Sequence, residues 1–193
     1  SILPFFKKKV KLVFFISIII SLMTTLLMSF HDNITFFIVV RFLSGLSSAF
    51  VLIFGTSLIL PSIQAFGKKS LSTAHFMGVG LGIVLSSILV SVLGSLGFEW
   101  DELWIGVTIL SVILAIPIFV NTPDESIIST TNVNLNVKNN LGFTLITIAY
   151  GLYGFGYVVL GTFISTMARE TVGLESTELY VWLLVGLAGI PMV

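Results

Sequence analysis

Among the residues that could do chemistry, Arg41 is the most conspicuous, because it interrupts an apolar run extending from about residue 34 to 60. In a helix it would lie roughly 10 Å in from the start of that run. An arginine near the centre of a membrane helix costs about 2.5 to 3.5 kcal/mol, and less toward the interface, so its guanidinium must find a wet cavity, a carbonyl cluster or a partner acid. At 100° per residue Ser44, Gly45, Ser48, Gly55 and Thr56 share its face. Such a stripe suits a polar pathway. Two readings stand side by side: a solute-pathway or ion-coupling residue, and an interfacial residue that snorkels to head groups or ties helix ends together.

A second polar stripe recurs at intervals of three and four residues, in Tyr150, Tyr153 and Tyr157, and shares a face with Thr147, Gly154, Gly161 and Ser165. Lipid offers no partner for a phenolic hydroxyl, so this row suggests a water-filled or ligand-lined surface that can stack on a solute and hydrogen-bond it. The same glycines, with Gly151 and Gly156, equally permit close helix contact or a bend.

Other patterns read as structure. Ala74, Gly78, Gly82 and Ser86 follow one another at four-residue intervals, with Gly80, Ser87 and Ser91 on another face of the same run, a small-residue arrangement that lets helix backbones approach. Gly78-Val-Gly80-Leu-Gly82 is not a nucleotide loop, because no strand precedes it. His31 and His75 fall at opposite ends of their runs, too far apart to share a metal ion, and are expected to be interfacial hydrogen-bonding residues. Trp100 and Trp104 beside Asp101 suit an aromatic belt and a helix cap.

The elements that carry these residues follow from composition. Hydrophobic residues make up 56% and charged residues 9% of 193, and the mean hydropathy is +1.12, which places the chain among membrane proteins. Zero net charge gives no field to attract nucleic acid, and no cysteine is present for disulfide or thiolate chemistry. Lipid is the expected partner. Five apolar runs reach about 20 residues, at 10–30, 34–60, 71–96, 103–120 and 141–168, and a partial one begins near 179. The fold expected is an all-α bundle of transmembrane helices, in which the short connections make 10–30 and 34–60, and likewise 71–96 and 103–120, antiparallel neighbours.

Basic residues cluster at Lys7 to Lys9 and Lys11, at Lys68 and Lys69, and at Lys138, alternating with segments that hold Asp32, then Glu99, Asp101 and Glu102, then Glu170, Glu175 and Glu178 beside Arg169. The positive-inside rule then puts 1–9, 61–70 and 121–140 in the cytoplasm, of what is expected to be a bacterial inner membrane. The polar stretch 121–140, rich in Asn, Thr and Ser, reads as a linker between two helical units, 1–120 and 141–193. The apolar start at Ser1 to Phe6 and the end at Val193 within an apolar run lead us to expect an internal part of a longer protein, truncated at both ends.

Arg41-Phe-Leu-Ser-Gly45 with Ser48-Ala49, His75-Phe-Met-Gly-Val-Gly-Leu-Gly-Ile83, and Tyr150-Gly-Leu-Tyr-Gly-Phe-Gly-Tyr157 followed by Thr162-Phe163 resemble the fourth, fifth and seventh helices of the major facilitator superfamily, in its YbfB/YjiJ-like branch. The resemblance implies helices three to eight of a twelve-helix fold, with the fourth and seventh lining a central cavity. It extends to Arg41 a role in proton coupling. The drug-antiporter signature on the fifth helix is absent, since Gly82-Ile-Val-Leu-Ser86 has no proline. Lys7 to Lys9 resemble only the tail of the basic signature between the second and third helices.

Together these readings anticipate a secondary transporter of a small solute working by alternating access, needing no cofactor beyond a proton or sodium gradient. The alternatives are a non-transporting scaffold or a degenerate transporter remnant. A membrane enzyme has less support, for lack of a metal cluster, a nucleophile with its base, or paired intramembrane carboxylates.

Overall fold

A computed structural model describes residues 9–30, 33–65, 67, 70–122, 141–171 and 178–190. Six helices follow one another: α1 (Val10–Leu27), α2 (Ile34–Ala65), α3 (Ser70–Ser95), α4 (Trp100–Asn121), α5 (Leu141–Glu170) and α6 (Glu178–Gly189). No strand occurs among the described residues. The first five are long and apolar enough to cross a membrane, whereas α6 has 12 residues, too few for a crossing. The expected linker beyond Thr122, the lysines at 7–8 and 68–69, and His31 and Asp32 lie outside the described residues.

Helix boundaries follow local chemistry. The run expected to stop at residue 60 continues through Pro61 to Ala65. Ser62 donates its hydroxyl to the carbonyl of Leu58 at 3.0 Å, keeping a polar side chain satisfied in the proline turn. At the start of α4 the cap is Glu99 rather than Asp101: the Glu99 backbone N–H donates to the Glu102 carboxylate at 2.9 Å, the reach-back bond of a capping box. This adds Trp100 and its neighbours to a helix expected to begin at 103. The turn from α3 into α4 is a Schellman motif. Phe98 N–H donates to Leu93 O at 3.2 Å and Gly97 N–H to Gly94 O at 3.1 Å, with Gly97 at a φ of +87° that other residues rarely adopt.

The expected antiparallel pairs form: α1 packs on α2, and α3 on α4. Two further pairings close the bundle, α1 on α4 and α3 on α6, while α5 rests mainly on α6. A small core of Phe14, Ile18, Leu58 and Ala115 joins α1, α2 and α4. Gly55 makes room there for the Phe14 ring, which lies 3.0 Å from where a Cβ would stand. At one end of the bundle Lys11 donates to the carbonyl of Thr122 at 3.1 Å, placing a cation on the C-terminal end of α4. At the other end Phe37 meets Trp100, ring centroids 6.2 Å apart, so the starts of α2 and α4 lie together.

Few side chains are buried, and large apolar residues such as Ile34, Phe42, Val120 and Leu160 point outward. In water such a surface would drive association; against lipid tails it is matched. Serine and threonine hydroxyls turn back onto their own helices, as Ser17 does to Val13 and Thr108 to Trp104, both at 2.8 Å. That habit leaves those hydroxyls satisfied without a partner from lipid.

Candidate functional site

Arg41 is exposed, but its guanidinium has an aromatic neighbour. Its guanidinium lies over the indole of Trp104, 4.7 Å from the ring centroid, a cation–π geometry that holds a charge against an apolar wall and contributes about 0.5 to 2 kcal/mol depending on desolvation. The pair borders a cavity of about 720 Å³ walled by Arg41 of α2, by Ile83, Ser86, Ser87, Val90 and Ser91 of α3, by Trp100, Leu103, Trp104 and Val107 of α4, and by Trp182 of α6. All three tryptophans of the chain are on this wall. Among the described residues Arg41 is the one charge lining it.

Each helix contributes one face. On α4, positions 100, 103, 104 and 107 recur at three and four residues. On α3, positions 83, 86, 87, 90 and 91 do the same. Ser86 and Ser87 both donate their hydroxyls to the Ile83 carbonyl, at 3.0 and 2.7 Å, so each presents an acceptor oxygen rather than a free donor. The cavity occupies the end of the bundle where α3 turns into α4 and extends to about the middle of α3, where Ile83 lies.

The rest of the Arg41 face serves differently. Ser44 is half-buried and its carbonyl accepts from Ser47 at 2.9 Å, Gly45 has open space beside it, and Ser48 is exposed; none of the three lines the cavity. Farther along α2, Thr56 is hydrogen-bonded to His75 of α3 at 3.1 Å, an interhelical role for a histidine read from sequence as a hydrogen-bonding residue. Tyr150 and Tyr153 on α5 are 77% and 73% exposed, Tyr157 is exposed as well, and none of them lines the cavity. The arginine and tyrosine stripes therefore do not meet among the described residues.

Small residues also sort themselves. Gly78 and Gly82 have nothing within 4 Å of a built Cβ, and neither does Gly154, so the close approach expected at these positions is absent among the described residues. It occurs instead at Gly80, where a Cβ would stand 2.7 Å from the Gly186 carbonyl oxygen and 2.9 Å from Ile190 N, backbone against backbone. Ser86 belongs to the cavity wall. A Cβ at Gly161 would stand 3.6 Å from the Trp182 ring, so this glycine marks where α5 meets α6.

Of the wall residues only Arg41 was expected at a cavity: Ser86, Ser87 and Ser91 were read as small packing residues and Trp100 and Trp104 as an interfacial belt, while Ile83, Val90, Leu103, Val107 and Trp182 had no assigned role. Trp104, expected in an interfacial belt, is the partner that supports Arg41. The signal was present in the spacing of 100, 103, 104 and 107, but any lipid-facing stripe has the same period. Asp101 lies beside this wall without lining it, and its buried Oδ1 has no hydrogen-bond partner among the described residues. No group of three or more potential metal-ligating residues forms among the described residues.

These features, an all-helical membrane bundle with a cationic pocket in it, can be set against known proteins. The family model described as "Uncharacterised MFS-type transporter YbfB" matches residues 5–193. No curated protein and no solved structure matches the chain. The match spans all six helices and includes each segment on which the resemblance was read, and the chain thus belongs to this family of major facilitator transporters.

Proposed function

We propose that this protein is a secondary active transporter that carries a small solute by alternating access, driven by an ion gradient, with Arg41 in the solute or coupling pathway. The observation that supports this reading best is the placement of Arg41 over Trp104 at the wall of a cavity of about 720 Å³, within the size range of small-molecule sites. A purely snorkelling arginine would extend away from the bundle. The cavity lies toward the end of the bundle opposite Lys11 and Thr122. Under the positive-inside rule that end faces outward, so the proposed site is reached from outside.

Uptake by the protein in proteoliposomes tests the role. Arg41→Ala should abolish gradient-driven accumulation, or uncouple it from the gradient, with membrane insertion unchanged; full coupled uptake by the variant would remove Arg41 from the pathway. The tyrosine face of α5 is proposed as a second contact surface for solute. Tyr153→Phe and Tyr157→Phe should then raise the apparent KM severalfold, and unchanged transport would assign those hydroxyls to packing.

A further inference from the structure

Resting on the transport reading, we infer that the solute taken by this cavity is an amphipathic organic anion, one anionic head such as a carboxylate on a flat apolar or aromatic body. The wall excludes the other classes by its chemistry. It carries one cation, Arg41, and no acid among the described residues, so an organic cation would meet repulsion without a counter-charge. A sugar needs many donors and acceptors, yet the polar remainder is three serines, and the hydroxyl protons of Ser86 and Ser87 are already given to Ile83. Leaving the hydroxyls of a polyol unpaired among Ile83, Val90, Leu103 and Val107 would cost desolvation at each one.

An anion with an apolar body meets the opposite conditions. The guanidinium rests over Trp104, 4.7 Å from the ring centroid, and among the described residues no carboxylate is paired with it. Its N–H donors can therefore receive a carboxylate in a charge-assisted, two-pronged bond. Trp100, Trp104 and Trp182 provide aromatic faces for the body. The volume of about 720 Å³ accommodates such a molecule whole.

Three probes with one body and different heads test this: 4-phenylbutyrate, 4-phenylbutan-1-ol and 4-phenylbutylamine. Binding to the protein in phosphatidylcholine nanodiscs is read by calorimetry and by intrinsic fluorescence, which reports on the cavity because all three tryptophans line it. The carboxylate should bind at least tenfold more tightly than the alcohol, and the amine more weakly still. Arg41→Gln should erase the difference between acid and alcohol while retaining binding of the alcohol. Equal affinity for the three heads, no binding of the carboxylate, or an unchanged preference in Arg41→Gln would overturn the inference. The head-group series on the unaltered protein decides the matter even if the variant fails to fold. Adding phosphatidylglycerol to the discs separates a soluble anion from a lipid head group: retained carboxylate binding supports the inference, and loss of it there makes lipid the occupant and overturns it. Transport is scored separately. Head-group selectivity without counterflow of labelled phenylbutyrate sinks the transporter reading and leaves the anion site, whereas gradient-driven uptake of the alcohol and amine at the rate of the acid does the reverse.

Discussion

Thr56 and His75 show how a single polar pair can serve a membrane bundle. Each sits in an apolar helix, and each would lack a partner in lipid; their bond of 3.1 Å joins α2 to α3, two helices that otherwise touch little. Interhelical hydrogen bonds in membranes contribute about 0.6 kcal/mol on average, with an upper value near 1.7 kcal/mol. Thr56→Val should accordingly lower stability by about that average, measured by denaturant titration in detergent, and His75→Phe should give a similar loss that does not add to the first in the double variant. Full additivity would mean the two side chains act independently. At Arg41 the determining partner is Trp104. Trp104→Leu removes the face on which the guanidinium rests, and is expected to weaken function roughly tenfold, a loss of about 1.4 kcal/mol within the range of a desolvated cation–π contact. A variant with wild-type uptake would show that the stack does not position the arginine.

Helix α3 carries glycine and serine on more than one face, and the packing distinguishes those faces by what stands opposite. Gly80 is pressed against the backbone of α6 near Gly186 and Gly189, and a methyl group at Gly186 would itself come within 2.7 Å of Val84 Cγ2. Backbone atoms cannot rotate aside as a side-chain end can, so Gly80→Ala must push the helices apart, at an expected cost of about 1 to 3 kcal/mol. Gly78→Ala and Gly82→Ala meet open space and should be neutral or mildly stabilising, since alanine favours a helix over glycine by up to about 1 kcal/mol. Thermal unfolding of the three variants makes the comparison; equal behaviour would mean the α3–α6 contact is not the tight one. This contact also joins the residues before the 121–140 stretch to those after it, so loosening it should alter transport as well as stability.

At the scale of the whole molecule, the arrangement of the ends is open to direct test. The absence of cysteine makes the chain a clean background for single introduced thiols. With the orientation proposed, Lys9→Cys and Thr122→Cys should react with an impermeant maleimide only from the cytoplasmic side, and Asn33→Cys and Phe98→Cys only from outside. Labelling of both pairs from one side would dismantle the topology. Much of this level was legible from the residues alone. Apolar runs of about 20 residues, closed by Glu99 and Glu102 at one helix start and by Gly97 at a helix end, specify spanning helices because lipid supplies no hydrogen bonds to the backbone and each segment must satisfy its own. Length, apolarity and caps are properties of a one-dimensional string. Which face meets which neighbour is not: helical phase groups Gly78 with Gly82 and sets Gly80 apart, but it assigns neither group a partner, and only the crossing of α3 and α6 selects Gly80. In the same way the charge of Arg41 announced a cavity or an interface, while its stack on Trp104, residues 63 positions apart in sequence, depended on how α2 and α4 are rotated against each other. Rotation about a helix axis is set by side-chain packing across the whole bundle, and therefore belongs to the tertiary structure.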